Sequence, residues 1–198
     1  MRIFKVAFPL RRCHLFLWTK GNKSMNTITR VFEFDAAHRV MNEAVKCYNL
    51  HGHRFRVEVT IGYSRSGSLG YAVDFKEIKR VIGHWIDSHL DHTCILNPMD
   101  EDLINLCRES KWNLYIMGMG HEGDYNPSAE NLASELLYIF KTLMDDDTLS
   151  VVGVKLYETP NCWVEATKFD YVATAPFLES IRSYKKAMGH FEYDIRNR

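Results

Sequence analysis

The sequence predicts an α+β domain in which a four-stranded antiparallel sheet carries two helices on one face. Three observations predict it. Residues 54–63 alternate apolar and polar side chains with a period of two, and two later stretches repeat apolar residues at helical spacing. The order along the chain is strand, strand, helix, helix, strand, strand. Short connections at both ends favour antiparallel pairing, which leaves the helices to cover one face of the sheet.

Taken in order, residues 27–35 are rich in β-branched and aromatic side chains and read as the first strand. The second strand, 54–63, is the clearest. Phe55, Val57, Val59 and Ile61 form a buried face, while Arg54, Arg56, Glu58 and Thr60 form a wet one. A Gly- and Ser-rich turn at 64–70 follows, and residues 71–73 are expected to pair back as a short strand. Asp74 and Glu77 have capping-box spacing before a helix whose apolar face is Phe75, Ile78, Val81, Ile82, Trp85 and Ile86. A second helix is expected to begin near Asn126, with Pro127 in its first position and Leu132, Ala133, Leu136, Leu137 and Phe140 facing inward. Strands at 151–157 and 162–167 close the domain around the turn Thr159-Pro160-Asn161. The segment 97–125 between the helices is long and mixed, and connections of that length are usually functional or inserted.

The chain has 198 residues, 46% of them hydrophobic, which suits one domain with a sizeable core. Lys plus Arg and Asp plus Glu both total 25, so charge gives no reason to expect nucleic acid or an anionic membrane as partner. No apolar run reaches the roughly 20 residues that a membrane span needs. The cysteines, Cys13, Cys47, Cys94, Cys107 and Cys162, are odd in number and irregularly spaced. They read as reduced thiols in a cytoplasmic protein rather than as a disulfide framework. Residues 1–24 carry six Lys or Arg and no acid, but the apolar run from His14 to Trp18 is too short for a signal core. They are expected to be a non-native or disordered extension, followed by a domain over 25–170 and a tail over 171–198. A short helix is the most the tail is expected to hold.

Chemistry concentrates where Cys47-Tyr48-Asn49-Leu50-His51-Gly52-His53 leads into the second strand. Side chains at i and i+2 of a strand project to one side, so His51 and His53 point together, toward the face of Phe55. His38 ends the preceding strand and supplies a third imidazole if the two strands pair. Three histidines with no fourth protein ligand are the donor set of a catalytic zinc. A bare His-x-His pair usually binds nothing; the third histidine and the intervening Gly52 favour the metal reading. His14, His84, His89, His121 and His190 have no comparable setting and read as surface or core residues. Cys47, four residues before His51, is either inert packing or, beside a metal or imidazolium, an accessible thiolate able to act as base or nucleophile. Asp91-His92 is either a loop feature or a carboxylate orienting a proton-transfer histidine.

The segments Phe34 to Arg39, Cys47 to His53, Val73 to Lys76, Leu90 to His92 with Leu96 and Asn97, Pro127 to Asn131, and Tyr157 to Thr159 now make a larger pattern. Through these six, in this order and over roughly 27–167, the chain resembles the 6-pyruvoyltetrahydropterin synthase family. The resemblance is to its bacterial branch in particular, which forms 6-carboxytetrahydropterin for queuosine biosynthesis. The resemblance implies the tunnelling fold (T-fold), with sheets joined into a barrel and subunits assembled as a homohexamer of two stacked trimers. It implies Zn²⁺ on His38, His51 and His53, with Cys47 as proton-abstracting residue and Asp91 with His92 as relay. It implies that Glu158 anchors a pterin ring, with Glu130 assisting, and that 7,8-dihydroneopterin triphosphate is the substrate, in a site between subunits.

Three residues separate Cys47 from His51, the short spacing typical of the carboxy-forming branch. The long segment 100–125 departs from compact members of the family and bears on substrate choice. Arg54, Arg56 and Lys76 are triphosphate candidates by charge alone, and read equally well as solvated surface. The competing readings are a pyruvoyl-forming or aldolase-like pterin lyase, and a non-catalytic zinc- or pterin-binding protein. Retention of Cys47, Asp91, His92 and Glu158 together disfavours the last.

Overall fold

The computed structural model describes residues 25–188 except 43, 45, 65, 121–123 and 170. The extension 1–24 with Cys13 and His14, and likewise His121 and His190, lie outside the described residues. In chain order the elements are β1 (Asn26–His38), β2 (His51–Tyr63), α1 (Phe75–Ile78), a π-helical turn (Lys79–Gly83), α2 (His84–His89), β3 (Thr93–Leu96), α3 (Glu101–Ser110) and β4 (Leu114–Ile116). They continue with β5 (Met119–Gly120), α4 (Ala129–Met144), β6 (Leu149–Thr159), β7 (Cys162–Ala166), β8 (Val172–Ala173) and α5 (Ala175–Ala187).

The main sheet runs β4-β3-β1-β2-β6-β7. The four strands expected from periodicity are neighbours and antiparallel, β1 to β2, β2 to β6 and β6 to β7. The expectation of a purely antiparallel four-stranded sheet is corrected on the other flank: β3 and β4 add to the end of β1 in parallel, making the sheet six-stranded and mixed. These strands have four and three residues, too short for any alternation to be read. A second small sheet pairs β5 with β8. Residues 71–73 form no strand.

One face of the sheet is dry. Phe55, Val57, Val59 and Ile61 of β2 and Val151, Val154 and Leu156 of β6 are fully buried. Helix α4 packs across β6 and β7 with Leu132, Ala133, Leu136, Leu137 and Phe140, as its spacing predicts. The helical run 75–89 contributes Ile78, Val81, Ile82, Trp85 and Ile86. Each such side chain stabilises the fold by roughly 1.5–3 kcal/mol relative to exposure. Asp74 caps α1 as expected, its carboxylate accepting from Lys76 N. Glu77, however, pairs with Arg80 instead of closing a capping box. The start of α4 is also corrected: Ser128 is the N-cap, accepting from Asn131 N, and Pro127 stands one residue outside the helix.

The long inter-helix segment is built rather than loose. Asp100 caps α3, and Ile104 and Cys107 pack on Leu96 as a small satellite core. Beyond β4 the chain is pinned by Glu135 of α4, which is wholly buried. Its carboxylate accepts from Tyr115 Oη, Gly118 N (2.9 Å) and Met119 N (2.7 Å). Residues 171–188 of the tail also join the body, with Phe177 and Ile181 of α5 buried.

Burial pushes the Glu135 carboxyl up from its ordinary 4.5 to about 7, against the pull of the tyrosine and the two amides. The folded protein therefore holds this proton more tightly than the unfolded chain does. The resulting stability is complete below pH 4.5 and is lost as pH rises toward 7. Urea-unfolding free energies should show the wild type losing on the order of 2–3 kcal/mol relative to Glu135→Gln across that window. Parallel profiles for the two proteins would contradict this assignment.

Candidate metal centre

The pairing of β1 with β2 sets the site. His38 lies opposite His51, and Ala36 opposite His53. By strand alternation Phe34, Ala36 and His38 share the inward face with His51, His53 and Phe55. The ring centroids of His38 and His51 are 4.6 Å apart, of His51 and His53 5.0 Å, and of His38 and His53 5.2 Å. One ring nitrogen from each falls within 4.8 Å of the others. Gly52, between the paired histidines, lets the strands close up: a Cβ there would sit 3.3 Å from the Ala36 carbonyl oxygen.

Two imidazoles are held in one tautomer by backbone carbonyls. His38 Nδ1 donates to Pro127 O and His51 Nδ1 to Asn49 O, both at 2.7 Å. Their Nε2 atoms therefore carry the lone pairs. His38 is 1% exposed, and its Nε2 is buried with no hydrogen-bond partner. Leaving such an acceptor unsatisfied costs about 1–3 kcal/mol. Burial is the main force lowering the pKa of His38, and likewise of His53, so both favour the neutral form that ligates metals. An orphaned buried nitrogen, three converging imidazoles and carbonyl-fixed tautomers all fit a divalent transition metal.

Glu158 joins this cluster through a local irregularity. The β6–β7 register shifts between Tyr157 and Thr159, so Glu158 is the bulged residue. Bulges re-aim side chains beside functional sites. Here Oε1 of Glu158 comes to 3.3 Å from His38 Nε2 and 3.9 Å from His53 Nε2. Glu130, in the first turn of α4, is exposed and makes no hydrogen bond or ion pair with these groups among the described residues.

Cys47 is exposed, on a one-turn 3-10 helix (Lys46–Tyr48) that delivers the chain to β2. The turn is tied back by Val40 N donating to Cys47 O at 2.9 Å. Asp91 and His92 behave as one unit. Asp91 Oδ2 accepts from His92 Nδ1 at 2.8 Å, and its Oδ1 accepts from Asp35 N at 2.9 Å. The Asp35 amide first, and then His92, hold the Asp91 carboxyl below its usual range. His92 N in turn donates to Asp35 O, with His92 at a positive φ of 55°. His92 shares a cleft with one of the three histidines, His53. That cleft, of about 750 Å³, is also lined by Asp35, Arg54, Lys111 and Trp112. Two triphosphate candidates are already engaged there and nearby, Arg54 with Asp35 and Arg56 with Glu58.

Sequence reasoning missed the polar support behind the site. Arg39, next to His38, forms a two-point ion pair with buried Asp100. Buried Asn97, Asn126 and Asn131 stitch the loops after β1, after β3 and before α4. A signal existed: Asn97-Pro98 and Asn126-Pro127 are both Asn-Pro turn pairs.

Comparison with known proteins bears on what such a site does. A family model described as 6-pyruvoyl tetrahydropterin synthase matches residues 27–168. The chain is 41% identical over 141 residues to a 6-carboxy-5,6,7,8-tetrahydropterin synthase of Rickettsia felis, covering 69% of this chain and 96% of that one. A Haemophilus influenzae protein of the same name is 29% identical over 147 residues, covering 71% and 98%. Among solved structures, Caenorhabditis elegans 6-pyruvoyl tetrahydropterin synthase is similar in fold, with TM-score 0.53, 21% identity, and coverage of 73% and 96%.

Chelator-stripped protein titrated with a divalent transition metal should take up one ion per chain. His38→Ala should weaken binding by at least about a hundredfold, since even outer-shell partners of such ligands matter 10- to 100-fold. Uptake unaffected by His38→Ala in calorimetry would exclude this centre.

Proposed function

This chain belongs to the 6-pyruvoyl tetrahydropterin synthase family, and from that premise we propose that it is a zinc-dependent 6-carboxytetrahydropterin synthase. It converts 7,8-dihydroneopterin triphosphate and water to 6-carboxy-5,6,7,8-tetrahydropterin, acetaldehyde and triphosphate, for 7-deazaguanine (queuosine) biosynthesis. The observation that carries the reading is the inward convergence of three imidazoles beside Glu158. The named relatives and the short Cys47-to-His51 spacing favour the carboxy-forming branch.

His38, His51 and His53 would hold the zinc, which as a Lewis acid would acidify the C–H beside the substrate's side-chain oxygens. Cys47, as thiolate, removes that proton. Exposure in the middle of a short turn leaves the thiol free to reach a bound substrate. His92 returns a proton elsewhere on the side chain; the Asp91 carboxylate fixes its ring and stabilises its charged form. Glu158 accepts the paired N–H donors of the 2-amino-pyrimidinone edge, and Glu130 assists in that pocket.

A hexamer of two trimers, with sheets joined into a barrel, is the assembly this reading requires. The working partners are thus the small pterin substrate and other copies of the chain. Among the described residues no helix is long and apolar enough to cross a membrane.

Incubation of the zinc-loaded protein with 7,8-dihydroneopterin triphosphate, followed by mass spectrometry, tests the proposal. Acetaldehyde with 6-carboxytetrahydropterin is the expected outcome; a pyruvoyl product would reassign the branch. Cys47→Ala should keep its zinc and lose roughly 10²–10⁴ in kcat, the usual worth of a positioned general base. Full activity in that variant would remove Cys47 from the mechanism.

A further inference from the structure

We propose that Asn126 is a positioning residue for the metal centre, locking the Pro127 carbonyl against His38 and joining it to the chain that runs from His38 toward Cys47. The inference rests on the metal reading above. The Asn126 side chain is buried, and three hydrogen bonds occupy it. Oδ1 accepts from Met41 N at 2.9 Å and from Asn97 Nδ2 at 3.0 Å, while Nδ2 donates to Met41 O at 3.0 Å. Both backbone polar groups of Met41 are thus met by one amide, as a neighbouring strand would meet them. The backbone of Asn126 is fixed as well. Its N–H donates to Asp124 Oδ1 at 3.0 Å, and its carbonyl accepts from Asn131 Nδ2 at 2.9 Å.

What these bonds hold in place is the following peptide. Proline restricts the residue before it to extended conformations and fixes its own φ. Ser128 then begins α4 as its cap. With Asn126 clamped on one side and the helix on the other, the Pro127 carbonyl has little freedom. Its oxygen, 2.7 Å from His38 Nδ1, keeps that proton on Nδ1 and leaves Nε2 as the ligating atom. The same amide reaches the base. Met41 follows Val40, whose N–H holds the Cys47 carbonyl at 2.9 Å. One side chain therefore links the orientation of a metal ligand to the turn that carries the thiol. Neither periodicity nor charge would single it out.

Zinc affinity, measured by competition with a chromophoric chelator, separates this role from a merely structural one. Asn126→Ala should weaken zinc 10- to 100-fold, the usual effect of losing an outer-shell support. The absorption bands of its cobalt-substituted form should shift. Asn126→Asp, which keeps both acceptor bonds, should fall between Asn126→Ala and wild type, and carries the test should the alanine variant not fold. Leu143→Ala removes a buried side chain about 20 Å away along α4 and should lower stability without changing zinc affinity. Wild-type zinc affinity in folded Asn126→Ala, or in Asn126→Asp where only that variant folds, would overturn the proposal. So would an equal loss in Leu143→Ala. A wild-type protein that bound no zinc would fail differently, by removing the metal centre itself.

Discussion

The pairing register of β1 against β2 is the constraint on which the site depends. His38 meets His51, and Ala36 meets His53, only because Phe34 meets Phe55 and every pair outward to Asn26 and Tyr63 is in step. A slip of one residue would turn the β2 histidines outward and drive Arg54 and Arg56 into the space of Phe55 and Val57. Burying those charges would cost far more than the hydrophobic contacts return. The four apolar side chains from Phe55 to Ile61 therefore do more than stabilise the sheet: they aim the imidazoles. Gly52 permits the close approach at the end of the pair, where a side chain would press on the Ala36 carbonyl.

The same alternation divides the site's chemistry between two faces. Inward, burial lowers the pKa of His38 and His53 and favours their uncharged forms. Outward, Asp35 and Arg54 are ion-paired in solvent, and Asp91 holds His92 against the β1 backbone. His53 and His92 nevertheless line one cleft, so the two faces meet where β2 begins.

Much of this was legible in the sequence where the periodicity is long. The thirteen-residue β2 and sixteen-residue α4 show their buried faces directly, and parity alone put His51 and His53 on the side of Phe55. Where elements are short, the signal fails. Four-residue β3 and three-residue β4 have no measurable alternation, so the parallel flank was invisible although Asp91 and His92 lie at its entrance. The start of α4 was misplaced because Pro127 is equally acceptable one residue before a cap, and the Ser128 side chain decides between the two. Glu158 was identified only through resemblance. A bulge at Tyr157–Thr159 depends on how β7 returns after the turn at Pro160, which local composition does not specify.

The least legible part is the segment between the two helical regions, and its role follows from where its ends are tied. Read as an insertion, residues 100–125 could be shortened or lengthened without touching the histidines. The contacts say otherwise. Asp100 uses one carboxylate both to cap α3 and to grip Arg39, the residue after His38. At the other end, Tyr115 and the amides of Gly118 and Met119 converge on Glu135, one helical turn beyond Asn131. The segment is therefore anchored at both ends to the elements that hold His38, first through Arg39 and then through α4 and the Pro127 carbonyl. A change of length between those anchors would be felt at His38 as well as in the core, to which Met117 and Met119 belong. Variation in this region would therefore reach His38 through Arg39 and through α4, whether or not any of its side chains approaches the histidine cluster.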